Sequence, residues 1–193
     1  MRAALLYLSL LIPVCAFAQQ TQHPRKILTP EQIAFQQAIK TYNAQIDILR
    51  SSAISAFAAE VAREKAPECP NASTTYDINM CLSHEGDLTD ANYKAFTTAL
   101  RSMLALPVPT MPGSDGGLEG PSGREGTPAT NTAAFDAAEL AWRTYATAEC
   151  GAVDTLWRGG TIVNSVVDEC DLRMVRARLH ELDLAYGVRL HPH

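Results

Sequence analysis

The sequence predicts an all-α fold: an antiparallel three- to four-helix bundle stapled by two disulfides, with a long disordered proline- and glycine-rich loop. Three observations lead there. Apolar residues recur at three- and four-residue spacing through several long segments, the period of an amphipathic helix. No segment alternates with period two for long enough to require a sheet. Four cysteines follow an export-like leader, an even count that suits two bridges in an oxidising compartment.

The leader is read from its three parts. Arg2 supplies a positive start, Ala3 to Val14 is almost wholly apolar, and Ala16-Phe17-Ala18 has the small-residue cleavage pattern. Cleavage after Ala18 is expected, giving a secreted or periplasmic protein. A lipid anchor on Cys15 is the rival reading, but Val14 stands where a small residue is wanted. The apolar run is shorter than the roughly 20 residues that span a bilayer, and no later stretch is apolar enough to be a membrane span.

The first helix opens on Thr29 as N-cap, with Pro30 at the first helical position and Gln32 completing a capping box. Ile39, Tyr42, Ile46, Leu49, Ala53, Phe57 and Val61 form its apolar stripe, Glu60 and Glu64 are expected off it, and Pro67 ends it. The second helix starts near Ser73 or Thr74, with Asp77 as capping acid. Its expected inward face is Ile78, Cys81, Leu82, Leu88, Phe96, Leu100 and Met103, with a break or kink at Gly86.

Residues 106–131 have no apolar period and are read as a flexible loop, with reach into a partner's cleft as the sharper alternative. The third helix is expected from about Thr132 to Cys150, with Phe135, Ala138, Trp142, Tyr145 and Glu149 on one face. Trp157-Arg158-Gly159-Gly160 reads as a turn. The fourth helix, from about Ile162 to Tyr186, carries Val166, Cys170, Met174, Arg178 and Leu182 inward, and Gly187 is its expected C-cap. The chain thus divides into a signal peptide over 1–18, an N-terminal long-helix segment over 19–67, a helical domain over 68–187 and a tail over 188–193.

Cysteine and charge patterns narrow the chemistry. Cys69, Cys81, Cys150 and Cys170 allow three connectivities, and the local pairs Cys69–Cys81 and Cys150–Cys170 are favoured because each staples a helix to the segment beside it. Each closed loop contributes roughly 3 kcal/mol. The closely spaced ligand pairs of a zinc site and the C-x-x-C-H of haem attachment are both missing, so no metal or cofactor is expected. Loss of Arg2 with the leader takes the formal net charge from −5 to −6, and no basic stripe marks a nucleic-acid partner. A basic protein partner would be steered by that charge.

A catalytic constellation is not legible. His84-Glu85 and His180-Glu181 each lack the second histidine of a zinc-protease helix, and His191 and His193 lie in what reads as a frayed tail. Trp142 and Tyr145 could stack on a sugar, but their place on an apolar face predicts core packing. Trp157 and Arg158 are the candidate partner contacts, being residue types enriched at binding hot spots and set at a turn. Arg178, on an inward face, is expected to pair with Glu149 or Glu181.

One combination of motifs resembles a known family. Trp142-x-x-Tyr145-x-x-x-Glu149-Cys150 is followed by Gly159-Gly160, then by Cys170, Arg178 and Leu182. Upstream stand Cys69, the T-x-x-D helix start, Cys81 and Asp90-x-x-Tyr93-x-x-Phe96. Together these look like the LprI-like family of secreted bacterial domains, over about Glu68 to Leu182. Departures from the usual pattern are Ala146 in place of an arginine, Thr89-Asp90 in place of leucine-asparagine, and Val175 in place of a threonine. The resemblance implies a helical fold, structural roles for Tyr93, Trp142, Tyr145, Glu149 and Arg178 and, for some members, inhibition of lysozyme. The expectation is a non-enzymatic binding protein that occludes the cleft of a basic lysozyme. The alternative is a cell-envelope structural or interaction module whose N-terminal helix pairs with a partner helix.

Overall fold

The computed structural model describes residues 28–111 and 126–191. The expected signal peptide with its expected cleavage after Ala18, residues 112–125 of the loop, and His193 fall outside them. Among the described residues the regular structure is entirely helical: α1 Pro30–Glu64, α2 Thr75–Ala105, α3 Pro128–Trp157, α4 Val163–Ala185 and a single turn, α5 Gly187–Leu190.

Both capping boxes form. Thr29 Oγ1 accepts from the Gln32 amide at 3.2 Å while Gln32 Oε1 accepts from the Thr29 amide at 3.0 Å. Thr74 and Asp77 repeat the exchange at 3.1 Å in each direction. Each box satisfies amides that the first helical turn leaves without partners. The third helix uses the same grammar earlier than expected. Thr127 caps it, Pro128 sits in its first turn, and residues 128–131 are helical rather than part of the loop. It also runs past Gly151 to Trp157, so Trp157 is its last residue and the turn follows it. Gly159 adopts φ +88°, a conformation open to glycine, and the Gly160 amide donates to the Trp157 carbonyl at 2.9 Å. No break occurs at Gly86, because α2 continues through it.

The four long helices alternate in direction. Tyr93 meets Glu139 and Arg101 meets Asp136, so α2 and α3 are antiparallel. Glu139 meets Arg178 while Cys150 is bonded to Cys170, so α3 and α4 are antiparallel too. The favoured disulfide pairing is present in both places, with Cα–Cα distances of 5.8 Å for Cys69–Cys81 and 5.7 Å for Cys150–Cys170. The core joins Ala53 and Ala56 of α1, Phe96, Leu100 and Met103 of α2, Phe135 of α3, and Leu179 and Leu182 of α4.

Several inward faces differ from expectation. Ile78 and Leu88 of α2 are exposed, and Thr89 and Tyr93 are buried instead. The face of α3 follows Phe135, Glu139, Trp142 and Cys150, which leaves Ala138, Tyr145 and Glu149 outward. The tail is docked rather than frayed as far as His191. Leu190 is fully buried, and Arg50 Nε donates to the Arg189 carbonyl at 2.9 Å. Burial of one leucine side chain, worth about 1.5–3 kcal/mol, and the Arg50 hydrogen bond both help to hold this turn in place.

Candidate functional site

Two polar seams cross the bundle, and each is organised by a carboxylate that the apolar pattern concealed. Glu60 was expected off the stripe of α1, yet it is 1% exposed. It lies four residues after Ala56 and seven after Ala53, in phase with the buried alanines. Thr89 Oγ1 donates to Glu60 Oε1 at 2.7 Å, Asn92 Nδ2 to Oε2 at 2.8 Å, and Arg176 Nε to Oε1 at 2.8 Å. Arg63 Nε adds an ion pair at 3.3 Å. Burial alone would raise the Glu60 carboxyl pKa. The hydrogen bonds from Thr89, Arg176 and Asn92, with the charge of Arg63, outweigh it and hold the group below its ordinary value. Arg176 also reaches Glu68, and Arg63 reaches Glu85. The seam therefore locks α1, the segment after it, α2 and α4 together.

The second seam gathers three residues of the family-like motif. Arg178 donates to Glu139 Oε1 through Nη2 at 2.7 Å and Nε at 3.1 Å, and to Glu181 through Nη1 at 3.0 Å. Its guanidinium stands 5.8 Å from the Trp142 ring centroid, within cation–π range. The Tyr93 hydroxyl donates to Glu139, and its ring packs 5.3 Å from Trp142. Burial first, then the hydrogen bond and charge of Glu139, hold the Tyr93 phenol above its ordinary pKa.

Tyr93, Trp142 and Arg178 thus converge on Glu139. Tyr145 and Glu149 do not join them: Tyr145 is 57% exposed and Glu149 is on the surface. Glu139, not Glu149, is the second partner of Arg178. The shift follows from a carboxylate inside the α3 stripe, a residue type that an apolar period passes over. Glu60, Glu139 and Arg176 were missed for the same reason: a charge is assigned to solvent unless its donors are known, and these donors sit on other helices.

The chemistry of the seams is cohesive. Both carboxylates have their oxygens taken by donors of this chain. Among the described residues no group of three metal-ligating side chains comes together. A shallow groove beside the first seam is lined by Glu64, Glu68, Arg173, Arg176 and His180, and most of these charges already pair internally.

The other candidate feature is the end of the bundle that carries both disulfides. Ser165 of α4 donates to Asn79 of α2, joining the starts of those helices. Trp157 closes α3 there and is 43% exposed; Arg158 beside it is exposed and pairs with Asp154 at 3.1 Å. These two candidate contacts sit on a scaffold braced by covalent bonds on both sides.

The family model described as "Lysozyme inhibitor LprI" matches residues 68–182, more than half of the chain. The match takes in both disulfides, α2, α3 and most of α4, and leaves α1 outside. No curated protein and no solved structure matches the chain.

Proposed function

We propose, from the premise that this chain belongs to the LprI lysozyme inhibitor family, that it is an exported, non-enzymatic protein that inhibits a lysozyme by covering its cleft. The family match carries the reading. It is supported by the build of the matched region, in which two disulfides and the Tyr93–Glu139–Arg178 seam make a stiff body able to block a cleft with little loss of freedom on binding. Export is supported by the same disulfides, which persist in oxidising compartments. No described helix is long and apolar enough to cross a membrane.

The partner contacts in this reading are Trp157 and Arg158. The envelope-module alternative, with α1 pairing to a partner helix, has less support. Ile46, Leu49, Ala53 and Phe57 of its stripe already pack against the core of this chain.

A turbidity-clearing assay tests the proposal. Oxidised mature protein is titrated against lysozymes of several types, with a reduced and alkylated sample beside it. Dose-dependent protection of cells that disappears on reduction is expected. Absence of protection at large molar excess over every type overturns it.

A further inference from the structure

We infer that the doubly stapled end of the bundle is the docking surface, and that its occupant is a cationic lysozyme presenting basic side chains around an apolar recess. The inference rests on the inhibitor reading above and names the face that serves it.

Large apolar side chains are left uncovered at this end. Tyr76 is 71% and Met80 57% exposed near the start of α2, Leu156 is 79% exposed beside Trp157 at the end of α3, and Ile162 is exposed just before α4. The Ser165–Asn79 hydrogen bond and the short α3–α4 connection hold these three helix ends together. Exposed aromatic and aliphatic side chains on a rigid frame are the residue types that anchor protein interfaces.

Charge says what covers them. Residues 75–92 and 144–172 carry nine carboxylates against one basic side chain, Arg158. That excess of eight negative charges exceeds the formal net charge of the whole chain, −5, so the rest of the chain is net positive. Two of the carboxylates are paired within the chain, Glu85 to Arg63 and Asp154 to Arg158. The crowding is felt locally: burial first, then the charges of Asp168 and Asp90, push the Asp171 carboxyl up. A field this one-sided attracts a basic protein and steers its approach. It repels nucleic acid and anionic lipid, and it opposes a second copy of this face. The disulfides Cys69–Cys81 and Cys150–Cys170 tie together the segments that carry the surface, so its frame is ordered before the partner arrives.

The test measures binding of the oxidised mature chain to a strongly basic c-type lysozyme by calorimetry and by association kinetics. One variant removes anchors, Tyr76→Ala with Trp157→Ala. A second reverses exposed charge, Glu149→Lys with Glu169→Lys. Leu184→Ala, an exposed apolar truncation at the far end of α4, is the control. Each double variant is expected to weaken binding by about tenfold or more, with the thermal melt of the wild type retained. The charge-reversed variant should lose mainly association rate and show a flatter dependence on salt. Leu184→Ala should bind as the wild type does. A wild type that binds while both double variants bind equally well overturns the inference and leaves the inhibitor reading standing. A wild type that does not bind overturns the inference, whose occupant is a basic lysozyme, while the inhibitor reading is decided separately by the turbidity assay across lysozyme types.

Discussion

Arg176 Nε of α4 donates to Glu60 Oε1 of α1 at 2.8 Å, joining two buried side chains that lie 116 positions apart in the sequence. Glu60 stands outside the region that the family model matches, and Arg176 stands inside it. The bond therefore ties the N-terminal helix to the inhibitor-like body. A charge buried this deeply is tolerated only because three hydrogen-bond donors and the charge of Arg63 surround it.

Removing Arg176 should expose what that pairing holds. Arg176→Met leaves Glu60 buried without its main countercharge and Glu68 without its partner. Breaking a buried pair from one side costs about 3–5 kcal/mol. Urea denaturation of the variant against the wild type measures the loss. A change under about 1 kcal/mol would mean that Thr89, Asn92 and Arg63 suffice for Glu60.

Thr89 faces Glu60, and its hydroxyl supplies a hydrogen bond that an aliphatic side chain lacks. Thr89→Val should destabilise by about 1–3 kcal/mol, because a buried acceptor loses a donor. The same change in a Glu60→Leu background should cost much less. A double-mutant cycle measured by chemical denaturation reads the coupling, and additive effects would dissociate Thr89 from Glu60.

Among the carboxyl groups that folding shifts, Glu60 and Asp168 respond to acid with opposite sign. Glu60 has a depressed carboxyl pKa when folded, so its contribution is present above its ordinary value of 4.5 and is lost as the pH falls through the lower folded value. Asp168 is raised by burial above its ordinary 3.8, so its cost is full above the folded value and disappears as the pH falls toward 3.8. Asp168→Asn should therefore raise the melting temperature at pH 7, with the gain shrinking toward pH 4. A pH series of thermal melts checks this, and a gain independent of pH would contradict it.

Two glycines inside helices are open to replacement. A Cβ built on Gly86 of α2 or on Gly151 of α3 meets nothing within 4 Å. Gly86→Ala and Gly151→Ala should each stabilise by about 0.5–1 kcal/mol, since alanine loses less backbone freedom in a helix. The thermal melt of each variant is the measurement. No gain at Gly86 would point to a backbone distortion at that position.

The sequence alone determined the features whose physics is local. The Thr29-Pro30-Gln32 and Thr74–Asp77 helix starts were legible because a capping box closes within three residues. The Cys69–Cys81 and Cys150–Cys170 bridges were legible because each joins neighbouring segments. Phe96, Leu100, Met103 and Leu182 were legible as core from helical spacing alone, and the motif set that resembles the family spans the residues that its model matches. The start of α3 at Pro128 was missed because its proline was read as loop composition instead of as a first-turn residue.

Only the tertiary structure decided which charges lie inside. Glu60 and Glu139 look like solvent residues until Thr89, Asn92, Arg176, Tyr93 and Arg178 are brought to them from other helices, at separations of 29 to 116 residues. It also decided that Tyr145 and Glu149 face outward, because a carboxylate within the α3 stripe rotates the buried face. The burial of a charge depends on partners that folding assembles, and no periodicity within one helix records them.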